Sequence, residues 1–244
     1  MSSITIVPTE LNEFRTRTGY SDIEKYIEME KLPIDCPGLN FKYSVKNNPD
    51  HYNNQDGLDF PNYAGMGYNN REFSDDDQSV VESYMKELLN KKAKLCIVEI
   101  GVHRNSYCES STSVFLDNKR DTDVYIGIDI EDKSFLNDSS KNIYTIQSRS
   151  ENIDFVLGRI KEFGITEIDI LMIDGWHSIN TVYTEWQYTR LLSKDGIVIF
   201  HDTNAHPGPF FIIQSIDTNM YDVRKYFSDI RDFGISVAIK KCSQ

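Results

Sequence analysis

Beyond Ser79 the chain alternates between short apolar runs and amphipathic stretches, and this alternation restricts the possible folds more than any other feature. The runs cover residues 95–100, 124–130, 143–146, 168–173 and 197–200. Each is short, apolar and rich in β-branched residues, the pattern of a buried parallel strand. Residues 79–90 carry Val80, Val81, Tyr84 and Leu88 at helical spacing. Further helices read at 111–117, 151–163 and 179–192, and the tail reads as a helix at 221–226 followed by a strand at 233–239. Strands joined through single helices dictate a mainly parallel sheet with right-handed crossovers. The expectation is an α/β, Rossmann-like doubly wound domain.

Two of these runs end abruptly in an acid. Ile168-Asp169-Ile170-Leu171-Met172-Ile173 leads into Asp174, then Gly175-Trp176-His177-Ser178. Gly196-Ile197-Val198-Ile199-Phe200-His201 leads into Asp202, then Thr203-Asn204. Ligands of open α/β sheets sit at the carboxyl ends of the strands. Two carboxylates delivered there by neighbouring strands repel each other unless a cation lies between them, so a divalent metal site is the first expectation. The plainer reading is that both acids cap the helices or turns that follow.

At 244 residues the chain can hold one large domain and an appendage. Its formal net charge of −12 disfavours nucleic acid as a partner. The densest acidic cluster, Asp75-Asp76-Asp77, reads as the cap of the helix that follows. Four cysteines, Cys36, Cys96, Cys108 and Cys242, lack any metal-binding spacing, so a reducing compartment is expected. Neither a signal peptide nor an apolar run long enough to span a bilayer is evident. A cytoplasmic protein acting on a small molecule is expected, with a homo-oligomer left open.

Residues 1–78 differ in character from 79–244 and are expected to be a separate, loop-rich extension. One helix is expected at 21–31, with Ser21 as its cap and Glu24 completing a capping box. Residues 46–70 read as a loop carrying Tyr52, Phe60, Tyr63 and Tyr68. That stretch is either a surface excursion or a lid over a ligand.

Three strand ends suggest a nucleoside-type ligand. Glu99-Ile100-Gly101 places an acid at the end of the first strand and a glycine at the turn. His103-Arg104-Asn105-Ser106 stands where a dinucleotide fold would place more glycines, which argues against a pyrophosphate. Asp129 ends the second strand about 30 residues after Glu99, the spacing at which a carboxylate reaches a ribose. Ser150, after the third strand, is either a helix N-cap or part of a turn against an adenine ring.

Together these residues resemble the class I S-adenosylmethionine-dependent methyltransferases over residues 79–240. Glu99-x-Gly101 is similar to their first motif, Asp129 to the ribose-binding acid, and Ser148–Glu151 to the adenine-side turn. Asp174-Gly175-Trp176-His177 with His201-Asp202-Thr203 resembles the metal-dependent O-methyltransferases, especially the macrocin-type sugar methyltransferases and cephalosporin-hydroxylase-like proteins. The resemblance implies about seven strands with the last antiparallel. It also implies S-adenosylmethionine held by Glu99, Gly101, Asp129 and Ser150, and Mg²⁺ held by Asp174 and Asp202 with Thr203 as third ligand. His177, three residues past Asp174, would be the general base, with His201 and His206 as alternative bases or ligands. The implied substrate is a sugar or glycoside hydroxyl, with a phenol as the other option. Competing readings are a nicotinamide-dependent oxidoreductase and a cofactor-binding module without turnover.

Overall fold

In a computed structural model the described residues are 38–39, 73–102, 110–177, 179–204, 206–226 and 233–241. The expected helix at 21–31, the lid at 46–70 and the turn residues 103–109 lie outside them. Seven strands form one sheet in the order β3-β2-β1-β4-β5-β7-β6. They are β1 (Cys96–Ile100), β2 (Val124–Asp129), β3 (Ile143–Gln147), β4 (Ile168–Ile173), β5 (Leu192–Phe200), β6 (Tyr221–Tyr226) and β7 (Ile235–Lys240). Strands β1 to β5 pair in parallel. Strand β7 is antiparallel to both β5 and β6. The order reverses between β1 and β4, and ligands of open α/β sheets bind at the carboxyl ends of the strands beside such a switch point. This is the Rossmann-like, mainly parallel seven-stranded sheet expected from the sequence, with the terminal strand antiparallel.

The helices are α1 (Asp75–Lys91), α2 (Ser111–Asn118), α3 (Ile153–Glu162), α4 (Ile179–Glu185) and α5 (Pro207–Ser215). Side chains alternate across each strand, so the sheet carries a core on both faces. Val98, Ile126, Leu171 and Val198 pack on one side with Val156, Trp186 and Phe211. Ile97, Tyr125, Ile170 and Ile199 pack on the other with Val81, Met85 and Phe115. Helix α1 begins in a reciprocal capping box between Ser74 and Asp77, so Asp75 to Asp77 lie in its first turn rather than before it.

Three elements differ from the sequence reading. Residues 221–226 form edge strand β6 rather than a helix, because Tyr221-Asp222-Val223 alternates with period two and Arg224 and Lys225 suit an exposed edge. The helix expected through residue 192 turns into a 3-10 segment, Trp186–Leu191, whose consecutive residues Trp186 to Thr189 are all buried. Burial on every side removes the amphipathic period, and the chain passes directly into β5 at Leu192. Helix α5 has no counterpart in the sequence reading. Its residues Gly208-Pro209-Phe210-Phe211-Ile212-Ile213 are too uniformly apolar to show a helical stripe.

Candidate metal and cofactor site

The turn after β1 brings two strand ends together. Gly101 sits at φ +83°, and a Cβ there would lie 1.9 Å from the carbonyl oxygen of Asp174. The Gly101 amide donates to the carbonyl of Ile128 at 3.0 Å, and the Asp174 amide donates to that of Ile100 at 2.9 Å. Only a residue without a side chain allows β1, β2 and β4 to end this close together.

Glu99 lies beneath that turn and is fully buried. Its carboxylate accepts hydrogen bonds from Ser111 Oγ, from Thr112 Oγ1 at 2.8 Å and from Tyr125 Oη. Burial pushes its pKa up to about 7 against the opposing effect of those donors. Glu99 therefore ties the start of α2 to β1 and β2. Asp129 stands at the rim, its Oδ2 accepting from the Val102 amide at 2.9 Å and its Oδ1 from the Glu131 amide at 2.8 Å. Each oxygen keeps further acceptor capacity, since a carboxylate offers about four lone-pair sites.

Ser150 is buried and does not cap α3, whose N-cap is Asn152. Its hydroxyl donates to Glu185 Oε1 at 2.6 Å, and its carbonyl accepts from Tyr188 Oη at 2.6 Å. Glu185 lies beneath the Asp174–Gly175 turn; a Cβ on Gly175 would be 3.1 Å from its Oε1. Its Oε2 has no hydrogen-bond partner among the described residues. Burial pushes the Glu185 pKa up to about 8. Nothing in the sequence distinguishes Glu185 from an ordinary surface-helix acid.

At the ends of β4 and β5, Asp174 and Asp202 converge with three histidines. His177 Nε2 lies 3.1 Å from Asp202 Oδ2 and 3.6 Å from Asp174 Oδ1. His201 Nδ1 lies 3.3 Å from Asp174 Oδ1 and 3.4 Å from Asp202 Oδ1. His206 Nε2 is 3.8 Å from Asp202 Oδ2, and its ring stacks on that of His177 with centroids 4.3 Å apart. Two trios bring ligand atoms close enough to share an ion: Asp174, His201 and Asp202, and His177, Asp202 and His206.

Local structure explains this convergence. Asp202 adopts a left-handed backbone at φ +57°, which Asp tolerates better than most residues and which turns the chain sharply at the end of β5. The turn closes as the His206 amide donates to the Asp202 carbonyl at 2.9 Å; His206, not Asp202, is the N-cap of α5. The Gly208 amide in turn donates to the His177 carbonyl at 2.9 Å. Thr203 faces β7, its Oγ1 accepting from Ser236 Oγ at 2.9 Å.

The two carboxylates therefore have imidazoles for company. Burial raises the Asp174 pKa, but His201 and His177 outweigh it and hold the carboxyl below its usual range. Burial lowers His177, yet Asp202 and then Asp174 raise it on balance. The same acids hold His201 well above the ordinary imidazole value against its burial. Sequence reasoning names all five residues but expects the acids to face one another without such partners.

No family model matches the chain, and no curated protein matches it. Similar solved structures include the MycE methyltransferase from the mycinamycin biosynthetic pathway in complex with Mg, S-adenosylhomocysteine and mycinamycin VI. It is 17% identical with a TM-score of 0.47, over 65% of this chain and 48% of that one. The chain thus spans about half the length of that protein. CalS11, a TDP-rhamnose 3′-O-methyltransferase of calicheamicin biosynthesis, is 11% identical over 97% of both chains with a TM-score of 0.48. An rRNA methylase from Streptococcus thermophilus is 12% identical over 67% of this chain and 95% of that one, with a TM-score of 0.47.

Proposed function

We propose that this protein is an S-adenosylmethionine-dependent, metal-assisted O-methyltransferase acting on a small-molecule hydroxyl, with a sugar or glycoside as the preferred substrate class. The observation that carries this reading is the meeting of Asp174, His177 and Asp202 at the ends of β4 and β5, beside the Gly101 turn and the Asp129 rim. The choice of a sugar rests on the resemblance of the Asp174–His177 and His201–Thr203 motifs.

In this reading Asp129 accepts the ribose hydroxyls, and the Ser148–Glu151 turn borders the adenine. Gly101 lets the β1 and β4 ends meet beside the cofactor, and Glu99 keeps α2 and the turn in register from below. Asp174 and Asp202 would hold a divalent cation through carboxylate oxygens, with Thr203 beside them, and such an ion when bound would make a neighbouring hydroxyl more acidic. His177, in its neutral form, accepts the hydroxyl proton. Stacking on His206 orients that ring.

The test is formation of S-adenosylhomocysteine from S-adenosylmethionine by the full chain, against a panel of glycosides and phenols. Wild-type protein should methylate glycosides, His177→Ala should slow turnover on the order of 100-fold, and excess EDTA should stop it. Methylation of phenols alone would reverse the substrate choice. Full activity in EDTA would remove the metal from the mechanism.

A further inference from the structure

The resemblance implies Mg²⁺, a hard cation that prefers oxygen ligands and near-octahedral geometry. The donors at the ends of β4 and β5 include more nitrogen than such a site uses. His201 projects Nδ1 between the two carboxylates, at 3.3 Å from Asp174 Oδ1 and 3.4 Å from Asp202 Oδ1. Donors bound at about 2.0–2.2 Å to one ion stand roughly 3–3.5 Å apart. The Asp174–His201–Asp202 trio thus approaches the spacing of a coordination shell, without rearrangement of the backbone.

A second observation concerns the other side of the same ring. His201 is 3% exposed, held between Phe73 and Phe233. Its Nε2 points to helix α1, where the nearest carboxylate oxygen is Asp77 Oδ2 at 3.7 Å. No hydrogen bond to Nε2 forms among the described residues. Asp77 is itself fixed, its Oδ2 accepting from the Ser74 amide at 2.9 Å and from Ser74 Oγ at 2.7 Å. A metal-bound histidine characteristically presents its remote N–H to a carboxylate, which selects the tautomer and the ring orientation. A buried imidazole with one nitrogen between two acids and the other toward a third, anchored acid has that arrangement.

We infer that His201 is a metal ligand through Nδ1, oriented by Asp77, and that the Asp174–His201–Asp202 site selects a borderline divalent transition ion over Mg²⁺. This rests on the proposal that Asp174 and Asp202 hold a metal, and departs from it in the third ligand and in the ion. An imidazole donor favours Fe²⁺, Co²⁺ or Zn²⁺, whereas carboxylates and water alone suit Mg²⁺. His177 and His206 remain on the opposite oxygen of Asp202, next to the reacting hydroxyl.

The experiment is calorimetric titration of the full chain, stripped with EDTA and freed of chelator, with MgCl₂ and with CoCl₂. Wild-type protein should bind one Co²⁺ on the order of 100-fold or more tightly than Mg²⁺. Oxygen sites also favour Co²⁺, so the response of that preference to substitution is decisive. His201→Asp should reduce it about 10-fold or more, because a hard oxygen then replaces the nitrogen. Asp77→Asn, which leaves every ligand in place and keeps an acceptor for Ser74, should weaken Co²⁺ binding about 10- to 100-fold. It carries the test if His201→Asp does not fold. Equal affinity for the two ions, a preference unchanged by His201→Asp, or a Co²⁺ affinity unchanged by Asp77→Asn overturns the inference. A parallel titration with S-adenosylhomocysteine separates the two ideas. Cofactor binding without Co²⁺ selectivity removes the inference alone, while selectivity without cofactor binding removes the methyl-transfer reading alone.

Discussion

The acids at the ends of β1 and β2 and those at the ends of β4 and β5 occupy equivalent places in the sheet but have different company. Glu99 and Asp129 are engaged by hydroxyls and backbone amides from their own βαβ unit. Asp174 and Asp202 face imidazoles carried by the segments after β4 and β5. Neutral donors fix both carboxylates in place, Glu99 buried beneath the turn and Asp129 at its rim. Titratable partners exchange protons with their surroundings, which suits a centre where a proton or a cation must come and go. On the proposed function, the first pair of strand ends would hold the cofactor and the second would carry the chemistry.

The largest effect expected from disturbing this division is at the glycine where the two halves touch. Gly101→Ala would drive a Cβ into the Asp174 carbonyl and force a left-handed backbone on alanine. The expected loss is on the order of 3 kcal/mol or more, measured by urea denaturation. An alanine variant as stable as wild type would mean that the two strand ends are not locked together as described.

A smaller effect should come from Glu185, which bridges the halves from below through Ser150. Its folded pKa of about 8 lies above its ordinary value of 4.5, so the native state retains a proton that the unfolded chain has lost. Stability from this group is therefore present at low pH and falls as pH rises from about 4.5 through 8. The slope is at most about 1.4 kcal/mol per pH unit. Glu185→Gln should remove that slope, so its stability relative to wild type should climb between about pH 5 and 8. A difference independent of pH would show that Glu185 is ionised in the folded protein.

The parallel strands are legible because each is buried on both faces and so appears as an unbroken apolar run, as in Ile170-Leu171-Met172-Ile173. Edge strand β6 is not, because Asp222, Arg224 and Lys225 dilute its apolar residues. Helix α5 is hidden for the opposite reason, being apolar nearly throughout. Asp174, His177 and Asp202 are legible as an acid-ended strand pattern with a nearby histidine. Asp77 and Glu185 are not, since their proximity to the site arises from helix packing across the sheet and leaves no local signal. Ser150 reads naturally as a cap, and only the tertiary partner Glu185 shows where its hydroxyl goes.

The division of labour is tested most directly by calorimetry of S-adenosylhomocysteine binding to wild type, Asp129→Ala and Asp202→Asn. Asp129→Ala should weaken binding by about 2 kcal/mol, because a charge-assisted contact to the ribose is lost. Asp202→Asn should bind the ligand with nearly wild-type affinity while losing the heat of metal binding. Cofactor affinity that collapses in Asp202→Asn and survives in Asp129→Ala would contradict the account.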